Sequence, residues 1–375
     1  MIETEVLVIG GGAAGLAVAQ ALASAGIGVR LAESEAQLGG PWRRRHKHLT
    51  LNSHRDLSVL PGVNYPRGTP AFPKRAAVIS LFEDFARQHG LAIDFSTAVE
   101  RIERAGDRWE VKAGDRIYRA RHVIVATGRD RVPFIPDWPG RDGFTGKIVH
   151  SADFGEAGLY RGQSVLVAGA GNSGIDVLNH LVNVETGPIW LSARHALAVL
   201  PKRVFNIAVH KISPMLARLP LPLADTTIAT VQRLTFGDLS GLGLPKPAGG
   251  PASRLAIDSV AIASDDGAVA AMKAGRVKAV AEIKGFDGPR VILEDGRTVE
   301  PDVVIAATGY RTGLEPMVGH LGVLDGRGKP LFNGGQNDPN LPGLWFTGMR
   351  ADLRGCFMNA IDKAEAITAR IVKER

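Results

Sequence analysis

A Gly-x-Gly-x-x-Gly loop, set between a short apolar run and a helical pattern, occurs twice in this chain. Val6-Leu-Val-Ile-Gly10-Gly-Gly12-Ala13-Ala14-Gly15 returns as Val165-Leu-Val-Ala-Gly169-Ala-Gly171-Asn172-Ser173-Gly174, with eight identities over the 17 positions counted from Val6 and Val165. Each apolar run suits a buried parallel strand. The first glycine permits the tight turn, the second lets backbone N–H groups approach a pyrophosphate, and the third lets the helix pack on the strand. The helix then offers unpaired donors and a partial positive charge to the phosphates. The pattern predicts an α/β chain with two Rossmann-like dinucleotide-binding domains. Glycine makes up 45 of the 375 residues, well above the usual ~7%, as backbone that must come close to ligands requires.

The residue type about 20 positions after such a loop selects the dinucleotide. After the first loop, Val29-Arg-Leu-Ala-Glu33 ends in an acid that can accept hydrogen bonds from ribose hydroxyls, which points to FAD. After the second, Pro188-Ile-Trp-Leu-Ser192-Ala-Arg194 ends without an acid. Arg194 can pair with a 2′-phosphate that a carboxylate would repel, which points to NADPH.

A second echo pairs His122-Val-Ile-Val-Ala126-Thr127-Gly128 with Val303-Val-Ile-Ala-Ala307-Thr308-Gly309. These two Ala-Thr-Gly ends are read as the chain leaving the FAD domain and re-entering it. The NADPH domain is thus expected as an insertion in a discontinuous FAD domain: 1–150 FAD-binding, 160–300 NADPH-binding with a helical insertion at about 196–250, and 301–375 returning. Ala126, Thr127, Gly128, Thr308 and Gly309 join the residues of both loops as cofactor-binding candidates. Trp109 to Ala120 alternates around Gly114-Asp115 as an antiparallel hairpin, and a similar hairpin is expected from Val277 to Val299.

The single cysteine, Cys356, excludes a disulfide framework, a Cys-based zinc site and a redox-active cysteine pair within one chain. No metal site is expected. Arg43-Arg44-Arg45-His46-Lys47-His48 reads as a solvated basic loop. It lacks the interleaved aromatics of a nucleic-acid reader. Val6 to Val29 carries no charge, but three consecutive glycines interrupt it and no basic region precedes it, so neither a membrane span nor a signal peptide is expected. The expected location is the cytoplasm.

Two nucleotide folds imply hydride transfer from NADPH to flavin, and without a cysteine pair the acceptor is dioxygen, a quinone or another small molecule. The string Phe144-Thr-Gly-Lys-Ile-Val-His150-Ser-Ala-Asp-Phe154 bears on the choice. So do Leu38-Gly39-Gly40-Pro41-Trp42, Leu49-Thr-Leu-Asn52-Ser, Leu60-Pro61-Gly62 and Gly309-Tyr310-Arg311. Together they resemble the class B flavin-containing monooxygenases across nearly the whole chain. The segments Phe236-Gly237-Asp238 and Gly243 to Pro251 resemble the YUCCA-type branch, whose plant members oxidatively decarboxylate indole-3-pyruvate. The family's Baeyer–Villiger members end the string with Trp where this chain has Phe154.

The resemblance implies that NADPH reduces FAD, that O2 adds at the flavin C4a carbon as a hydroperoxide, and that a small organic substrate takes one oxygen. It places Asn52 near the flavin as the catalytic candidate and adds Gly40 and Trp42 to the cofactor-binding set. An NADPH oxidase or quinone reductase on the same fold is the alternative outcome. Val204 to Phe236 reads as helical, apolar and basic. It is suited to cap the substrate pocket, to form a homodimer face or to touch a membrane surface.

Overall fold

The computed structural model describes residues 1–46, 49–247, 249–258 and 260–375. Lys47 and His48 of the basic loop lie outside them. The chain divides into two compact units, Met1–Val132 with Tyr310–Arg375, and Pro133–Gly309.

The first unit is built on a sheet whose strands run Ile93–Asp94, Val29–Ala32, Ile2–Ile9, Arg116–Val125, Arg108–Ala113, Arg101–Ala105 across it, with Leu344–Phe346 also paired to Arg116–Val125. Strand Ile2–Ile9 is central and parallel to both neighbours, Val6 standing opposite Val29 and His122. Its apolar end, Val6 to Val8, is wholly buried. The charge-free stretch is therefore a buried strand followed by the helix Ala13–Ser24, which packs against the helix Cys356–Lys373. Among the described residues no helix is long and apolar enough to cross a membrane. The hairpin around Gly114-Asp115 is present, with Trp109 opposite Ala120.

The second unit holds five parallel strands in the order Val277–Val280, Ile189–Ser192, Val165–Ala168, Val303–Ala306, Lys147–His150. Here the structure departs from the sequence reading. Val303–Ala306, expected in the returning segment, lies beside Val165–Ala168 with Val303 opposite Val165. Lys147–His150, expected in the first domain, is the edge of the same sheet. The reason is burial: Val304, Ile305 and Ala306 are fully enclosed and need neighbours on both sides. The two Ala-Thr-Gly ends are equivalent parts of the two units, and the divisions fall at 132/133 and 309/310.

Two further expectations change. Val277–Val280 joins the parallel sheet, and the antiparallel hairpin is Ile283–Asp287 with Arg290–Leu293, extended by Thr298–Val299. The insertion begins as a small hairpin, Arg203–Val204 with Ile207–Ala208, turned by Phe205 and Asn206 at φ 46° and 64°. Its main helices are Leu221–Phe236 and, past the expected end at about 250 but packed on the first, Pro251–Asp258.

Candidate functional site

In the first unit the loop after Ile2–Ile9 is shaped by its glycines. Gly10 has φ 105°, and a Cβ there would lie 2.8 Å from the Ala126 carbonyl oxygen; one on Gly15 would lie 1.8 Å from that of Gly10. Neither position has room for a side chain. At Gly12 the reverse holds: a Cβ would meet nothing within 4 Å. Gly12 is the N-cap of the helix Ala13–Ser24, and among the described residues no side chain caps it. Open space therefore lies over uncapped helix N–H groups at Ala13 and Ala14, which fits a pyrophosphate.

Glu33 is tied to the same loop. Its Oε2 accepts the Gly11 amide at 2.6 Å and its Oε1 accepts that of Glu35 at 2.9 Å. Oε1 also accepts the Ser34 hydroxyl at 3.2 Å, which leaves Oε2 with a second lone pair for a ribose hydroxyl. Thr127, just past the strand Arg116–Val125, has a buried hydroxyl with no hydrogen-bond partner among the described residues. So has Thr347, just after the strand Leu344–Phe346. Gly348 beside it brings backbone so near the loop that a Cβ would lie 2.9 Å from that of Ala14. Sequence reasoning did not single out Thr347. Its signal was a third strand ending in Thr-Gly, after Thr127-Gly128 and Thr308-Gly309.

Gly40, Trp42 and Asn52 lie on the stretch that follows Leu38, whose side chain a Cβ on Gly11 would strike at 2.7 Å. Gly40 opens a short helix, Gly40–Arg44, and a side chain there would strike Glu35. Trp42 packs partly buried against the core. Asn52 is half-buried, on a segment braced by Leu51 N–H to the Pro73 carbonyl and Arg55 N–H to that of Ala71, both at 2.8 Å. Arg43 and Arg44 are exposed, as expected of a solvated run, and are also paired: Arg43 donates to the Leu38 carbonyl and to Glu83, Arg44 to Glu35, and the half-buried Arg45 to the Tyr310 hydroxyl.

The second unit repeats the cradle. A Cβ on Gly169 would lie 2.5 Å from the Ala307 carbonyl oxygen and one on Gly174 1.9 Å from that of Gly169, whereas Gly171 faces open space. Asn172 and Ser173 begin the helix Asn172–Leu181. Thr308 and Gly309 differ from their counterparts. The Thr308 hydroxyl donates to the Phe134 carbonyl, and the Gly309 carbonyl accepts Phe134 N–H at 3.1 Å.

The Phe-to-Phe string supports that turn. His150, buried, takes the Ala152 amide on Nδ1 at 3.0 Å, so its proton sits on Nε2 and is donated to the Gly309 carbonyl at 2.9 Å. Phe154 is buried and stacks on Tyr160 at 5.1 Å. At Gly146 a Cβ would strike the Asp302 carbonyl.

The coenzyme-selecting pair separates. Ser192 is buried and donates to the Ala281 carbonyl at 2.9 Å, so its hydroxyl is not available to a phosphate. Strand pairing with Val165–Ala168 and Val277–Val280 encloses it. Arg194 lies beyond the strand end with its side chain 68% exposed.

The cradles, their spacing and the Glu33 anchor describe a two-dinucleotide protein, and comparison with known proteins gives its kind. The family described as pyridine nucleotide-disulphide oxidoreductase matches residues 7–197. Indole-3-pyruvate monooxygenase YUCCA1 of Oryza sativa subsp. japonica is 30% identical over 370 residues, covering 96% of this chain and 90% of that protein. The chain belongs to the YUCCA-type class B flavin-containing monooxygenases.

Another member of this family, indole-3-pyruvate monooxygenase YUCCA4 of the same rice, is 31% identical over 327 residues, covering 82% of this chain and 74% of that one. Among solved structures, the flavin-containing monooxygenase of Stenotrophomonas maltophilia shares the fold with a TM-score of 0.75 at 24% identity, covering 99% of this chain and all of the other. As a family member the chain is a flavoprotein monooxygenase, an oxidoreductase that uses FAD and NADPH. Its two glycine cradles and its orphaned threonine hydroxyls fit those cofactors.

Proposed function

We propose that the first unit holds FAD, the second holds NADPH, and the substrate is a small 2-oxo acid of the indole-3-pyruvate kind. The observation that carries this reading is the near full-length match to plant proteins named indole-3-pyruvate monooxygenases. The acid Glu33 at the first cradle and the exposed Arg194 at the second support the cofactor order.

FAD, when bound, supplies two-electron chemistry between NADPH and O2. The chain's own groups bind and orient. Amides at Gly12 to Gly15 and at Gly171 to Gly174 would hold phosphates, Glu33 would take a ribose, and Thr127 and Thr347 would offer hydroxyls to polar groups of the flavin nucleotide. Asn52 would offer its side-chain amide to the flavin. Ala126, Gly128, Gly40 and Trp42 would shape its walls. In the net reaction the 2-oxo acid loses its carboxyl group as CO2. One oxygen atom enters the new carboxylate, the other leaves as water, and NADPH provides the two electrons.

Flavin-loaded protein given NADPH, 18O2 and indole-3-pyruvate should release indole-3-acetate carrying one labelled oxygen, with one NADPH consumed per product. NADPH oxidation that yields only peroxide or a reduced quinone would make the chain an oxidase or quinone reductase. Esters from ketones, or N- and S-oxides alone, would replace the substrate class.

A homodimer through the insertion is the second part of this reading. Phe205, Met215, Leu223 and Leu234 support it, since they stand in water at 94, 69, 56 and 82% exposure, a density unusual for a monomer surface. Light scattering that gives the mass of one chain would reject it.

A further inference from the structure

The insertion is fastened to the loop that follows the strand Ile189–Ser192. Gln232, on the helix Leu221–Phe236, accepts the Val199 amide at 3.0 Å. Asp225, on the same helix, caps the start of Pro251–Asp258 by accepting the amides of Ala252 and Ser253 at 2.6 and 3.0 Å. From that second helix Arg254, half-buried, donates Nη1–H to the Ala196 carbonyl at 3.2 Å. Its guanidinium is thereby pinned one residue past His195, whose Nε2 accepts from Arg194 Nε at 3.0 Å. Burial, then Arg194 and Arg254, hold the His195 pKa below its usual value, so at neutral pH the ring is uncharged and the two guanidiniums carry the charge. The acids near them are Glu282, 3.9 Å from Arg194, and Asp258.

We propose that Arg254 is the second cation of the coenzyme's 2′-phosphate site, so that the insertion reads NADPH against NADH. This rests on the assignment of NADPH to the second unit. An exposed arginine such as Arg194 alone is a weak phosphate ligand because water screens it. Arg254 is already ordered by the Ala196 carbonyl, which uses one of five N–H donors and leaves a planar fork for phosphate oxygens.

The test is calorimetric titration of the full-length protein with adenosine 2′,5′-bisphosphate and with 5′-AMP, joined to KM for NADPH and NADH. Arg254→Gln should weaken the bisphosphate about tenfold, leave 5′-AMP unchanged and raise KM for NADPH, not NADH, at constant kcat. If Arg194→Gln shows this pattern and Arg254→Gln does not, the proposal is wrong and the NADPH assignment stands. If the parent protein binds both nucleotides alike, the assignment itself fails and the proposal with it. Equal weakening of both nucleotides would make Arg254 a structural brace and overturn the proposal. Should the Gln variant melt early, Arg254→Lys decides. It keeps the charge without the fork, and a selective loss of bisphosphate affinity supports the role whereas parental affinities overturn it.

Discussion

The Glu33 carboxylate holds the Gly11 amide at 2.6 Å, so the residue assigned to the FAD ribose also fixes the loop assigned to its pyrophosphate. Removing it withdraws a charge-assisted hydrogen bond, a contact worth about 1.5–3 kcal/mol. Glu33→Gln keeps one acceptor oxygen and should loosen FAD about tenfold, and Glu33→Ala more. Flavin absorbance retained through dialysis measures this, and full retention by both variants would refute the link.

The glycines of each cradle should separate folding from cofactor binding. Gly15→Ala and Gly174→Ala place a methyl group 1.8 and 1.9 Å from a carbonyl oxygen, so strand and helix must part. Both variants should lose several degrees of Tm or fail to accumulate. Gly12→Leu and Gly171→Leu point into open space at extended backbone, with φ −81° and −79°. They should melt close to the parent yet lose turnover, the first with its flavin and the second with flavin retained. Thermal melts beside flavin content distinguish the four, and parental activity in the last two would remove the phosphate-cradle reading.

Strand, loop and helix were legible in the sequence wherever the signal was local, as in Val6 to Leu22 and Val165 to Leu181. Assignment of strands to sheets was not. Val303–Ala306 and the end of Arg116–Val125 are near copies, and only the buried pairing with Val165–Ala168 shows which sheet the former serves. The bond from Ser192 to the Ala281 carbonyl was hidden for a related reason, because composition does not say whether a hydroxyl at a strand end points into the sheet or out of it. The run Arg43 to Arg45 is exposed at its first two residues as read, but its pairing was hidden because the partners Glu83 and Tyr310 are 40 and 265 residues away. Phe205 and Asn206 broke the expected helix through a left-handed turn for which Asn is the only local cue.

The two threonines of the Ala-Thr-Gly ends should behave differently despite identical local sequence. The buried Thr127 hydroxyl has no partner among the described residues, whereas that of Thr308 already serves the Phe134 carbonyl. Thr127→Val should leave Tm nearly unchanged and weaken FAD by threefold or more. Thr308→Val should lower stability by about 1 kcal/mol and leave flavin content alone. Urea melts and flavin titration of both variants check this, and matching behaviour of the pair would contradict the difference in their partners.

Acid should weaken the protein through His122. This histidine is buried beneath Trp345, whose indole N–H points at its Nδ1 from 3.4 Å, and burial, helped by Arg121, holds its pKa down at about 4. An unfolded chain titrates near 6.5. Between these values the unfolded chain binds a proton that the folded one refuses, so stability falls as pH drops from about 6.5 to about 4 and levels off below. The full loss is at most about 3 kcal/mol at 1.36 kcal/mol per unit. Urea unfolding at pH 7.5, 6.0 and 5.0 should show a falling midpoint, and a His122→Gln variant should show less of the fall. If the variant follows the parent curve throughout, the acid sensitivity belongs to other groups and His122 is not the origin of it.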